Sequence, residues 1–254
     1  ALGGDPPLSA VRRTTAKPSP PERRGVTDDA PDPGAVESPR ATDTTASPLD
    51  PTAVAPGTSV LVAGPAMTGK RRLAFQLLGG SASRTGCLVT TKARAERLRS
   101  WVEAVVGDTS DWDLSVVDCV AQSTSFGERA TEPDVAYVSS PADLTGIGIE
   151  LTRLFSTWHA DEVRDPRLAV HSLSTLLMYA SLKQVYRFLY VVTGRLRVVD
   201  GVGAYTLDTN TGSSEVLDTL TQVFDALVEV RDEGERPELR VRGGDFGPRA
   251  WTPF

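Results

Sequence analysis

A chain of 254 residues, 40% apolar and 24% charged, is long enough to bury one sizeable core. Its formal charge of -6 argues against a dedicated nucleic-acid binder with a basic face, and no run approaches 18 consecutive apolar residues, so no membrane-spanning helix is expected. Two cysteines, Cys87 and Cys119, cannot build a disulfide scaffold or a four-ligand zinc site, and without a charged-then-apolar leader pattern the expected setting is a reducing cytoplasm.

Residues 1–57 hold 11 of the 18 prolines and no aromatic residue. Such a composition buries too little apolar surface to offset chain entropy, so 1–57 reads as a disordered Pro/Ala/Thr-rich tail and 58–254 as the folded domain. Of 27 basic residues only Lys17, Lys70, Lys92 and Lys183 are lysines. With the acid excess, that usage resembles proteins of GC-rich genomes, including those of halophilic archaea.

From residue 58 the texture changes. Ser59–Ala63 is an apolar, β-branched run that reads as a buried strand. Leu73, Ala74, Leu77 and Leu78 recur at helical spacing and predict a helix over 70–79. A second strand is expected at 87–91, and a second helix at 93–106 with Leu98, Trp101, Val102 and Val105 on one face. A third strand follows at 114–118. The spacing of Leu144, Ile147, Ile149, Leu151, Leu154 and Phe155 predicts a helix over 143–158. Residues 167–171 form a fourth strand, 181–193 a helix, and 196–207 contain a fifth strand. A helix at 214–224 and two strands at 226–231 and 238–242 complete the pattern. Strands alternating with helices predict an α/β fold with a mostly parallel sheet, helices on both faces and a C-terminal β-hairpin at the edge.

The strongest motif runs from Gly64 through Pro65, Ala66, Met67, Thr68 and Gly69 to Lys70, between the first strand and the first helix. This is the G-x4-G-K frame of a phosphate-binding loop. Its glycines let backbone N–H groups curl around phosphate, the helix start adds partial positive charge, and Lys70 adds a whole one. The next residue should carry a hydroxyl for Mg2+, but it is Arg71. A guanidinium has only donors and cannot ligate a metal; next to a nucleotide it either neutralises phosphate directly or points away into solvent.

These residues, together with Leu88–Thr91, the Arg167–Leu177 segment and Arg240–Gly243, resemble the RecA-like P-loop ATPase superfamily, in particular its KaiC/RadA/GvpD-type branch and the divergent archaeal, HTR-like members of that branch. The resemblance implies a RecA-like P-loop core across the residues after 57. It makes the strand at 167–171 the Walker B strand, which would end in a metal-supporting Asp; here His171 stands there, followed by Ser172. It also places a water-activating Glu at the end of the second strand, where this chain has Thr90, Thr91 and Lys92. Asp118, at the third strand end, is the best candidate for a substitute acid, although an ordinary strand terminator is the stronger expectation for it. The Arg240 and Arg242 pair resembles the basic-x-basic element that KaiC-type subunits present to a neighbour's nucleotide, and residues two apart on a strand share a face.

Phosphoryl transfer depends on positioning and charge neutralisation. If each of the three losses cost even ~3 kcal/mol, the rate would fall roughly 10^2-fold per loss. The expectation is a degenerate nucleotide-binding protein, a pseudo-ATPase acting as a regulatory or assembly module, with ATP or another nucleotide as ligand and Mg2+ doubtful. The alternative is an active ATPase with relocated ligands from Thr68, Ser172 or Asp118. A DNA recombinase-like protein is a distant third, since only Arg187, Arg195 and Arg197 offer a basic cluster. A homo-oligomer, or pairing with a related RecA/KaiC-type protein, is the expected association, with neither membrane nor nucleic acid as partner.

Overall fold

Parallel strands carry apolar side chains on both faces, so the sheet needs helices above and below it. The computed structural model describes residues 47–120, 132–211 and 214–254. Its strands are β1 (Ser59–Gly64), β2 (Thr85–Thr90), β3 (Asp113–Asp118), β4 (Val135–Tyr137), β5 (Arg167–His171), β6 (Val202–Asp208), β7 (Ala226–Arg231), β8 (Glu238–Arg242) and β9 (Thr252–Pro253). Its helices are α1 (Lys70–Leu78), α2 (Ala95–Val106), α3 (Leu144–Ala160), α4 (Leu173–Tyr179), α5 (Leu182–Val198) and α6 (Ser214–Thr221). The strands form one sheet in the order β4-β3-β2-β5-β6-β1-β7-β8-β9. Strands β1 to β7 pair in parallel, whereas β7–β8 and β8–β9 are antiparallel, so the expected edge hairpin carries one further short strand.

The period-two alternation of β1 divides the core. Leu61 and Ala63 join a cluster with Ile147, Leu151, Phe155 and Trp158 of α3 and with Val185, Leu189, Val192 and Leu196 of α5. Val60 and Val62 face the other side, against Leu73, Ala74 and Leu77 of α1. On that second side α2 packs Leu98 and Val102 against Leu88 and Val116. Each of these buried aliphatic side chains contributes about 1.5–3 kcal/mol by leaving water. Helix α5 begins at a capping box, in which Ser181 and Gln184 exchange side-chain and backbone hydrogen bonds.

Four features depart from the sequence reading. Helix α4 starts directly after β5, and α5 extends to Val198, five residues beyond its predicted end. The three-residue β4 is too short to show a periodicity. The packed domain also begins before residue 58: Leu49 and Val54 are buried in the α1-side core, and Pro51–Ala53 forms a 3-10 turn. The tail assigned to 1–57 otherwise lies in residues 1–46, outside the described residues. Among the described residues no helix is long and apolar enough to cross a membrane.

Arg167 is the tie at the amino end of β5. It is 2% exposed, and its guanidinium donates to the carbonyls of Pro51, Leu77 and Gly80 at 3.0–3.1 Å and to Asp165 at 2.9 Å. One side chain thus joins the 3-10 turn, the end of α1 and the sheet. Replacing it with an apolar residue leaves several buried acceptors unpaired, which is more costly than the loss of a net-neutral hydrogen bond. Arg167→Leu is expected to destabilise the fold by about 3–5 kcal/mol in urea unfolding; a loss below about 1 kcal/mol would show that the tie is dispensable.

Candidate functional site

In an open parallel sheet the carboxyl ends of the strands share one edge, and ligands bind there. Register places Gly64 of β1 beside Asp208 of β6, and Thr90 of β2 beside His171 of β5. The loop after β1 therefore lies on the same edge as the ends of β2, β5 and β6.

The loop's glycines are dictated by space and backbone sign. A Cβ on Gly64 would lie 2.6 Å from the Val230 carbonyl oxygen, which no side chain tolerates. Gly69 has φ of 80°, a left-handed conformation that turns the chain into α1, and no side chain caps that helix start. Met67 also has positive φ and is 70% exposed at the loop tip. Thr68 is buried, its hydroxyl donating to the Pro65 carbonyl at 2.8 Å. Pro65 and Ala66 complete the curve. The ring of Phe254 rests against Gly69 from outside the loop segment.

Lys70 is almost fully buried. Its ammonium donates to the Pro65 carbonyl and pairs with Asp208 Oδ1 at 3.0 Å. Asp208 Oδ2 accepts from Lys92 Nζ at 3.2 Å. Partial burial raises the Asp208 pKa, but the two lysines outweigh it, and the net shift is downward from 3.8. Sequence reading missed Asp208. It sits one residue past the predicted strand, and its partners are more than 100 residues away along the chain, so no local pattern marks it.

Arg71 turns toward α2, its guanidinium carbon 3.7 Å from the centre of the Trp101 ring, while Arg97 lies 5.1 Å from the same centre. Trp101 meets His171 edge-on at 6.3 Å and 81°. His171 Nδ1 is 3.3 Å from the Thr206 hydroxyl. Burial, then Arg71 and Lys92, depress the His171 pKa from 6.5 to about 3 against the opposing pull of Asp208, so the imidazole is neutral at physiological pH.

Thr90, Thr91 and Asp118 at this edge bond to the backbone. Thr91 accepts from the Ser172 N–H at 2.8 Å, and its hydroxyl reaches the His171 and Ser172 carbonyls, clamping β2 to the turn after β5. Thr90 donates to the Ala93 carbonyl at 2.6 Å. Asp118, the candidate substitute acid, is 1% exposed and accepts from the Ala95 N–H at 2.8 Å and the Val120 N–H at 2.7 Å. It holds the start of α2 rather than facing the loop as a base. The Ser172 hydroxyl is buried without a hydrogen-bond partner. Among the described residues no group of three or more His, Cys, Asp or Glu is placed to hold a metal ion.

Arg240 and Arg242 do share a face of β8. Both pair with the same oxygen of Glu229, Arg240 donating a hydrogen bond to it, and Arg240 and Arg231 lie 4.4 and 4.3 Å from the Trp251 ring centre. Arg195 bonds Thr152 and Arg197 bonds Asp225, so these arginines tie α5 to its neighbours.

A neutral imidazole at this strand end becomes a pH liability. The unfolded chain takes up a proton near pH 6.5 while the folded chain stays neutral down to about 3. Stability is therefore complete above the unfolded value and is lost as pH falls through that window, by up to about 1.4 kcal/mol per pH unit. In urea unfolding at pH 7 and pH 5, His171→Gln should lose about 1–2 kcal/mol less than the parent between the two conditions. Equal losses would contradict the buried neutral state.

Comparison with known proteins agrees with this architecture. The fold is similar to that of a KaiC-like protein from the hyperthermophilic archaeon Pyrococcus horikoshii, with a TM-score of 0.50 and 15% identity over 78% of this chain and 83% of that one. It is also similar to an uncharacterized Pyrococcus horikoshii protein solved with an unknown peptide, with a TM-score of 0.58 and 13% identity over 74% and 84% of the two chains. Likeness at these identities shows the shared KaiC-type, RecA-like fold. No curated protein matches the sequence. A family model spans residues 57–230, the whole parallel core and its phosphate-type loop, and the chain belongs to that family, the family of unknown function DUF7504.

Proposed function

We propose that this protein is a RecA-like nucleotide-binding module that has lost phosphoryl transfer and serves as a regulatory or assembly component. One observation carries the reading: the loop keeps Gly64, Gly69 and Lys70 in place, while the groups that would support metal and water have other uses. Arg71 rests on Trp101, His171 ends β5 as a neutral ring, and Thr91 is a backbone clamp. A hard divalent cation needs oxygen donors, and this set does not fit Mg2+.

Nucleotide is the ligand in this reading because the frame suits phosphate. Lys70 already pairs with Asp208 and the Pro65 carbonyl, so phosphate oxygens would replace acceptors that the ammonium now uses. Association is part of the same reading. A homo-oligomer, or a pairing with an active RecA/KaiC-type relative, would let Arg242, 58% exposed, reach a neighbouring subunit in exchange for its share of Glu229.

A second reading, an ATPase with relocated ligands, is favoured by Asp208, a carboxylate beside Lys70, and by the unpartnered Ser172 hydroxyl. Turnover separates the two. The purified protein should bind ATP yet release phosphate no faster than Lys70→Ala, and Lys70→Ala should weaken ATP binding at least ~10-fold, the value of one charge-assisted contact. Steady phosphate release that disappears in Lys70→Ala would establish the ATPase instead.

A further inference from the structure

Exposed apolar side chains are unevenly spread over this molecule. Among the described residues the large ones are Met67 at the loop tip and six on the helices of one side of the sheet. These six are Ile149 of α3, Met178 and Tyr179 of α4, and Tyr190, Val191 and Val198 of α5. Helix α5 turns Val185, Leu189, Val192 and Leu196 into the core. Its opposite face carries Arg187, Val191, Gly194 and Val198, one helical turn apart and all exposed, with Tyr190 alongside.

Helix propensity does not account for that stripe. Valine and above all glycine weaken an exposed helix relative to alanine. A Cβ on Gly194 would meet nothing within 4 Å, so no packing inside the chain calls for a glycine there. With Val191 and Val198 standing a turn to either side, Gly194 is the floor of a notch open to solvent.

We propose that this face of α5 joins two copies of the chain, paired antiparallel across a two-fold axis, with Val191 of each copy seated in the Gly194 notch of the other. The surface is separate from the β8 strand through which Arg242 would reach a neighbour, and the inference does not depend on a bound nucleotide.

The stripe is complementary to itself in that arrangement. Seating Val191 on Gly194 sets Arg187 level with the partner's Val198 and within about 3 Å along the axis of the level of the partner's Asp200. Arg187 and Asp200 are both exposed, and among the described residues neither is held in an ion pair by its own chain. The two-fold axis makes two such pairs, and it brings each Arg187 to the carbonyl end of the partner helix, where the dipole is negative. A parallel pairing would set Arg187 against Arg187. Area agrees with a modest dimer. Helices α3 and α5 have 17 residues each and lie side by side, with Arg195 bonded to Thr152. Their outer face measures about 25 by 20 Å, so roughly 500 Å² per copy is covered, at the small end of specific interfaces. A lipid surface has no use for a notch, whereas a second helix backbone approaches closely only where a side chain is missing.

Sedimentation velocity of the whole chain from about 1 to about 100 µM tests the proposal, since an interface of this size is expected to dissociate in the micromolar range. The wild type should show a reversible monomer–dimer equilibrium. Gly194→Gln fills the notch and improves the helix, so it should weaken dimerisation at least ~10-fold while leaving the melting temperature of the monomer unchanged or higher. Arg187→Glu should weaken it about 5-fold, from two exposed ion pairs, and Arg242→Ala should leave it unchanged. Association equal in wild type and Gly194→Gln, or abolished by Arg242→Ala alone, would overturn the inference and leave association through β8 standing. A wild type that is monomeric throughout would also overturn it, and cosedimentation of that monomer with phosphatidylglycerol vesicles would assign the face to a bilayer instead.

Discussion

Asp208 divides its two carboxylate oxygens between Lys70 and Lys92, and much of the site follows from that division. Parallel pairing of β1 with β6 sets Asp208 beside Gly64, directly under the loop. Partial burial alone would favour the protonated acid, yet the two ammonium groups keep it ionised. The pair in turn fixes the Lys70 side chain against the loop's own Pro65 carbonyl. The loop is thus held closed on itself by a carboxylate of the same chain.

The neighbouring strand ends show how the same sheet edge has been put to other uses. Where β2 would deliver a carboxylate, Thr91 locks the backbone after β5. Asp118 of β3 anchors the first residue of α2. That anchor also sets the position of α2, hence of Trp101, hence of Arg71. Structural hydrogen bonds and the cationic character of the site are thus one connected arrangement: the groups that stabilise the edge also determine which cation faces it.

Much of the architecture was legible because it is local. The apolar run at Ser59–Ala63, the glycines of the loop and the helical spacing of α1 to α3 follow from nearest neighbours along the chain, and both C-terminal strands lie where their alternation put them. The unusual residues Arg71 and His171 were visible because they interrupt a spaced motif. The Lys70–Asp208 pair was not, since it joins residues brought together only by strand order. The stacking of Arg71 on Trp101 was equally hidden: Trp101 fits the apolar face of α2 and shows no sign of a second role. Asp118 accepts from the Ala95 and Val120 amides, as a carboxylate that terminates a strand does. Leu49 and Val54 were lost to a proline-rich composition that masks two well-packed anchors.

The central claim, proposed above, is that the residues around this loop do not suit a divalent cation beside a nucleotide. Electron paramagnetic resonance of Mn2+, added to the protein together with ATP, examines it at the metal itself. The account predicts only the signals of aqueous Mn2+ and of the Mn2+–ATP complex in solution, unchanged by the protein. A new, protein-bound Mn2+ signal that requires ATP would contradict it.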